Sequence, residues 1–196
     1  KTNAYSYAAA VGPWQFISST AKVFDLKKTY YVDERRDIVK STKAAVRYLK
    51  QLYRQFDDWY LAFAAYNCGE TRVQRHLNCE ECDYGEPPYD FWDLVYLPSE
   101  TRAYVPKILA MIFVSKDPEK YGFKVESEEK FNWKVIDIDK TVTLEDISKC
   151  SNIDIKTLRS YNPELITKNP TYVKASKDEI YKFQMPINYS EKFDSL

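Results

Sequence analysis

Trp59-Tyr60-Leu61-Ala62-Phe63-Ala64-Ala65-Tyr66-Asn67-Cys68-Gly69 decides the fold class. From about Trp59 to Asn67 its apolar residues Leu61, Ala62, Phe63, Ala64 and Ala65 surround a helical axis on all sides, the signature of a helix buried in a core. Cys68-Gly69 closes it, because Gly accepts the left-handed backbone that ends helices. Upstream, between Asp37 and Phe56, the residues Ala45, Tyr48, Leu49, Leu52, Tyr53 and Phe56 recur at helical spacing and predict an amphipathic helix. Downstream, Glu70 to Leu77 predicts a further short helix. Asn78 to Pro88, with its acids, Gly85 and paired prolines, predicts a surface loop beside a cleft. From Ser99 to Val114 the series Val105, Ile108, Leu109, Ile112 and Phe113 predicts another helix, with Ser99 as its cap and Pro106 in its early turns. Asp117-Pro118 stops it. No alternating strand is expected before about residue 130, so the first part should be mainly helical.

Lys116 to Lys130 is charged and reads as a linker, after which the pattern changes. Trp133-Lys134-Val135-Ile136-Asp137-Ile138 is β-rich, and Thr143-Leu144-Glu145-Asp146 fits a capping box opening a helix that carries Leu144 and Ile147. A second short helix is expected from about Asp154 to Tyr161. Ile180-Tyr181-Lys182-Phe183-Gln184-Met185-Pro186 alternates like a closing strand. The expected architecture is a mainly α domain over residues 1–115, a linker over 116–130 and a small α+β strand-helix-helix-strand domain over 131–190.

The 196 residues are 44% apolar, enough for one well-packed domain of about 100 to 150 residues and a small second one. The 29 basic and 29 acidic side chains cancel, so no long-range field draws the chain to nucleic acid or an anionic membrane, and no nucleic-acid partner is expected. Aromatic residues reach 16%, with 17 Tyr, which suits carbohydrate, because a ring offers an apolar face to sugar C–H groups and Tyr adds a hydroxyl. No apolar run approaches the roughly 18 to 20 residues that span a bilayer, and Lys1 does not open a signal peptide. The chain is expected to be soluble as written and processed or truncated at its start.

Cys68, Cys79 and Cys82 cluster while Cys150 lies far away. One local disulfide in an oxidising compartment is open to the cluster, with the pairing undetermined. Cys79-Glu80-Glu81-Cys82 with His76 also resembles part of a zinc site, but no second Cys-x-x-Cys or His pair completes it. No metal and no cofactor are expected, and His76 should sit on a solvated helix face.

Three segments carry a family resemblance: Gly12-Pro13-Trp14-Gln15-Phe16, Ala64-Ala65-Tyr66-Asn67-Cys68-Gly69, and Leu97-Pro98-Ser99-Glu100-Thr101-Arg102-Ala103-Tyr104-Val105-Pro106. In this order they resemble the soluble-lysozyme-like lytic transglycosylases, relatives of goose-type lysozyme. The membrane-bound lytic murein transglycosylase D branch is the most similar, and Asp33-Glu34-Arg35-Arg36-Asp37 matches it too. The later part, with Leu158-Arg159-Ser160-Tyr161-Asn162-Pro163-Glu164-Leu165, resembles a LysM-like module of the kind that binds N-acetylglucosamine-containing glycans. It departs from that pattern at Lys140-Thr141-Val142-Thr143-Leu144, where Gly-Asp-Thr-Leu is usual.

The resemblance implies a lysozyme-like fold and a peptidoglycan lyase that cuts between N-acetylmuramic acid and N-acetylglucosamine, leaving 1,6-anhydro ends. Such chemistry needs a proton for the leaving oxygen and an apolar pocket that keeps the acid protonated. By the same resemblance the single catalytic Glu would lie upstream of Lys1, with Ser6 beside its position and Tyr104 hydrogen-bonded to it. Gln15 would bond the sugar next to the cleaved bond, Trp14 would form cleft wall, and Tyr66 and Asn67 would line the muramic subsite. Glu100 reads instead as a helix-dipole partner and, with Arg102, as structural or subsite-framing. The alternating signs of residues 33–37 read as a salt-bridged connection.

The implied partner is the peptidoglycan glycan strand, in a bacterial periplasm or on the outer-membrane side of the envelope. An envelope protein complex stays open as a further partner, and membrane anchoring would need a segment outside this chain. Two alternatives stand beside the enzyme. One is a catalytically silent wall-binding or scaffolding protein of the same fold, the other a goose-type lysozyme that hydrolyses with water.

Overall fold

The computed structural model describes Ala4, Ser6 and residues 9–125, 132–168 and 170–187. Contacts group the chain into two compact units, one of residues 1–45 with 129–196, the other Val46–Glu128. Helix α2 (Ile38–Phe56) runs from the first into the second.

The second unit is helical among its described residues. It holds the end of α2, then α3 (Trp59–Cys68), α4 (Glu70–Leu77) and α5 (Ser99–Lys116), followed by a 3-10 turn at Glu119–Tyr121. Asp58 caps α3, its carboxylate accepting from the Leu61 amide at 2.7 Å, and Gly69 ends it at φ 93°. The core is Leu52, Leu61, Ala62, Ala64, Ala65, Val73, Phe91, Leu94, Leu97 and Val105. Phe63 is only half-buried and packs against the Trp59 ring at 5.8 Å, so α3 is not enclosed on every side as its composition implied. Ser99 is likewise not the cap of α5. Pro98 holds that position with an extended ψ of 139°, and Ser99 is the first helical residue. At eighteen residues, α5 outruns the ten-residue α3 it packs on. Its apolar series therefore ends in solvent, with Ile112 and Phe113 exposed.

The first unit begins with a tight turn over residues 9–16 and the short α1 (Ser18–Val23). Its later part contains β1 (Trp133–Ile138), β2 (Val142–Thr143), α6 (Leu144–Ser151), α7 (Ile155–Tyr161), β3 (Tyr172–Val173) and β4 (Tyr181–Pro186). β1 and β4 pair antiparallel from Trp133 opposite Pro186 to Ile138 opposite Tyr181, and β2 pairs with β3. The capping box forms as expected, Thr143 Oγ1 accepting from the Asp146 amide while Asp146 accepts from the Thr143 amide. Asp154 caps α7 through the Thr157 amide. Leu144, Ile147, Ile153, Leu158, Leu165, Val173, Phe183 and Met185 form the core here. Residues 126–130 of the expected linker, and residue 131, lie outside the described residues.

Residues 31–33 lie antiparallel to 164–166 inside this unit. The Asp33 amide donates to the Glu164 carbonyl at 2.8 Å and the Ile166 amide to the Tyr31 carbonyl at 3.0 Å. Tyr31 meets Tyr172 edge-on, and the Lys174 ammonium sits 4.9 Å from the Tyr31 ring.

Candidate functional site

The turn that presents Trp14 and Gln15 uses left-handed backbone at Ala9, Gly12 and Gln15, with φ of 59°, 84° and 52°. The Val11 amide donates to the Phe16 carbonyl, and both the amide and the side-chain Nε2 of Gln15 donate to the Gly12 carbonyl, the latter at 2.7 Å. Gln15 is thus exposed and held against its own turn. Trp14 is half-buried, and its Nε1–H donates to Thr42 Oγ1 at 2.8 Å, which fixes the indole against α2. Ser6 Oγ accepts from the Ala10 amide at 3.0 Å, a turn-closing role.

Arg35 holds this turn from below. Its guanidinium forms a two-point pair with Asp33, Nε to Oδ1 at 2.8 Å and Nη2 to Oδ2 at 2.7 Å. Its Nη1 donates to the carbonyls of Ala9 at 3.2 Å and Phe16 at 3.1 Å, the two ends of the turn. The run 33–37 is therefore the salt-bridged connection expected, but a buried one, with Asp33, Glu34, Arg35 and Asp37 all inside. Gly12 lies directly on this run, and a Cβ there would sit 1.8 Å from the Arg35 carbonyl oxygen. Gly12→Ala should cost at least about 2 kcal/mol, from positive φ and the clash together. Urea denaturation checks this, and a loss under about 0.5 kcal/mol would contradict the packing.

In the second unit, α3 and α5 bring Tyr66, Asn67 and Tyr104 together. Asn67 Oδ1 accepts from the buried Thr101 hydroxyl at 2.7 Å, which orients the carboxamide. The Tyr66 ring lies 5.3 Å from that of Tyr48, whose hydroxyl donates to Glu70 Oε2 at 2.9 Å. Burial pushes the Tyr66 phenol above its usual range, with Tyr104 and Tyr48 adding to the effect. Burial alone raises Tyr104, while burial and the Glu70 carboxylate raise Tyr48. All three phenols stay protonated and able to donate. Burial also raises the Cys68 thiol, the opposite of what a thiolate nucleophile needs.

Tyr48, Glu70 and Thr101 were not singled out from sequence. Their helical spacing reads as ordinary amphipathic pattern, and only the folded arrangement sets Thr101 against Asn67 and Tyr48, bonded to Glu70, against Tyr66. Glu100 is exposed in the first turn of α5, and Arg102 Nε donates to the Leu97 carbonyl at 3.2 Å, a structural role.

Cys79 and Cys82 form the local disulfide, with a Cα–Cα distance of 5.4 Å. Cys68 and Cys150 are free thiols. His76 is partly buried, its Nδ1 bonded to the Tyr84 hydroxyl at 2.7 Å, so the helix face it occupies is not fully solvated. Desolvation first, then Arg72 and Arg75, lower its pKa and favour the neutral ring.

Residues 1–81 match the family model described as the transglycosylase SLT domain, a span that contains Ser6, the Trp14-Gln15 turn and the Tyr66-Asn67 helix end. Over these residues the chain is similar to the SLT domain family. It is 35% identical over 182 residues to the membrane-bound lytic murein transglycosylase D of Escherichia coli strain K12, covering 89% of this chain and 40% of that protein. The same protein from Escherichia coli O6:H1 gives the same values. A protein named for tributyltin chloride resistance in Alteromonas sp. (strain M-1) is 42% identical over 77 residues, 39% of this chain and 37% of its own. The chain thus spans about two fifths of the length of the curated relatives it matches. Tyr104 lies beyond the 81 residues of the SLT match. Among the described residues no helix is long and apolar enough to cross a membrane.

Proposed function

We propose that this protein is a peptidoglycan lytic transglycosylase of a bacterial cell envelope. It would cleave the β-1,4 bond between N-acetylmuramic acid and N-acetylglucosamine and leave 1,6-anhydromuramic ends. The observation that carries this reading is the SLT match over the segments that fold into the Arg35-held turn and the Tyr66-Asn67 end of α3.

In the proposed mechanism one carboxylic acid protonates the leaving oxygen, then takes the proton from the muramic 6-hydroxyl as that oxygen attacks the anomeric carbon. That acid is a Glu proposed to lie upstream of Lys1, with Ser6 beside it. Tyr104 serves it as a hydrogen-bond donor, since burial keeps the phenol protonated. Gln15 bonds the sugar next to the cleaved bond, and Trp14 forms cleft wall. Tyr66 and Asn67 hold the muramic ring, with Asn67 pre-oriented by Thr101 so that its amide N–H groups are offered to an acceptor. The LysM-like segment over residues 131–190 is proposed to help keep the enzyme on the wall.

The test is mass spectrometry of muropeptides released from purified sacculi by the native-length protein. Anhydromuropeptides support the lyase, reducing-end muropeptides favour a hydrolase of the goose-lysozyme kind, and no release favours a silent wall-binding protein. Tyr66→Phe should lower turnover about tenfold or more, the loss of one transition-state hydrogen bond. Its stability should stay within about 1 kcal/mol of the parent. A folding collapse in this variant would mark the hydroxyl as part of the core instead.

A further inference from the structure

The loop between α4 and α5 carries an aromatic surface that the proposed reaction does not use. Trp92 is 52% exposed, yet its position is fixed. Its ring meets Tyr60 at 5.8 Å and Phe91 at 5.0 Å, both at steep angles, so neither neighbour lies parallel to the indole. Asp90 and Asp93 lock the backbone around it. The Trp92 amide donates to Asp90 Oδ1 at 2.6 Å and the Asp90 amide to Asp93 Oδ2 at 2.8 Å. Phe91 and Leu94, on either side, are core residues. A large ring held rigid and half in water is an arrangement that hydrophobic burial alone does not favour, and it is preorganised for stacking.

Its location supplies the ligand class. Tyr60, on which Trp92 rests, and Asn67 lie seven residues apart on α3, hence on one helix face and about 10 Å apart along it. That separation suits sugar rings farther along one strand. Charge narrows the choice of ring. Between Asn78 and Asp93 there are carboxylates at Glu80, Glu81, Asp83, Glu86, Asp90 and Asp93 and no Lys or Arg. Such a field disfavours a muramic ring, which carries either a free lactyl carboxylate or a stem peptide with carboxylates of its own, and accepts hydroxyl donors of a neutral one.

We propose that Trp92, backed by Tyr60, is a stacking platform for a neutral N-acetylglucosamine ring of the glycan strand, beyond the ring held at Asn67. The ligand's identity rests on the lytic-transglycosylase reading. The platform itself rests on the geometry above.

The experiment measures chitotetraose binding by titration calorimetry and muropeptide release from sacculi, with the native-length protein, Trp92→Ala and Trp92→Phe. Expected is chitotetraose binding about five- to tenfold weaker in Trp92→Ala, partly restored in Trp92→Phe, with melting temperatures alike across the three. KM for sacculi should rise while kcat stays near the parent value. Equal binding by Trp92→Ala and the parent overturns the platform, even where the parent releases anhydromuropeptides. Binding lost in Trp92→Ala without any release by the parent keeps the platform and removes the enzyme reading. A parent that fails to bind chitotetraose, or binds a lysine-rich peptide in its place, overturns the proposal.

Discussion

Arg35→Ala is expected to lose about 3 to 5 kcal/mol of stability, the usual result of removing one partner from a buried ion pair. The side chains of Arg35 and Asp33 are 3% and 4% exposed, so little water can reach the carboxylate left behind. The carbonyls of Ala9 and Phe16 each lose the Nη1 donor in the same step, Phe16 keeping the Val11 amide. Arg35→Lys should restore only part of the loss, because an ammonium cannot make the two-point contact with Asp33 while also reaching both carbonyls. The double variant Asp33→Ala/Arg35→Ala should be less damaged than the sum of the single changes, since no uncompensated charge stays inside. Urea denaturation curves of the parent, Asp33→Ala, Arg35→Ala, Arg35→Lys and the double variant test this. A single-variant loss below about 1 kcal/mol would show that the pair is no clamp.

Glu164→Gln is expected to stabilise the protein above neutral pH. Glu164 is 2% exposed, and burial, with the Asp37 carboxylate adding to it, raises its pKa to about 7 from 4.5. The Tyr181 hydroxyl donates to Oε1 and Lys40 lies near, both opposing the rise, while Oε2 has no hydrogen-bond partner. Glu34 adds a further carboxylate to this cluster, itself paired with Lys40 at 2.5 Å. The sign follows from proton counting. Between about 4.5 and 7 the folded state keeps a proton that the unfolded chain has lost, so raising the pH draws the equilibrium toward unfolding. The stabilising contribution is complete below about 4.5 and gone above about 7, a difference on the order of 3 kcal/mol. The neutral amide escapes this loss, so Glu164→Gln should melt higher than the parent at pH 8 and the gap should shrink toward pH 5. A gap of constant size across that range would place the titration elsewhere.

Most local elements were legible because each rests on a short-range rule. The capping box at Thr143 and Asp146 and the Gly69 stop of α3 need only neighbouring residues, and both form. The β1 run was readable from its β-rich composition and the β4 run from alternation. What escaped was long-range. Nothing periodic in Tyr31 to Asp33 announces pairing with residues 164–166, and charge alternation in 33–37 gives the same pattern in solvent or in a core. The apolar series of α5 predicted a face without revealing that Ile112 and Phe113, near its end, stay exposed. The site divides the same way. Trp14, Gln15, Tyr66 and Asn67 are proposed from motif order, whereas the Thr101 bond to Asn67 spans 34 residues and the Glu70 bond of Tyr48, which packs on Tyr66, spans 22, and neither is announced by a local pattern.

The Arg35 contact also bears on how this architecture can be recombined. The turn that displays Gln15 takes its shape from a side chain about twenty positions downstream, and Gly12 is required by the backbone of that same downstream run. A chimera that transplants residues 9–16 alone would carry the letters of the motif into a setting that cannot hold its left-handed backbone. The exchangeable module is the turn together with residues 33–37, and shuffling libraries built on this chain should keep the two in one block.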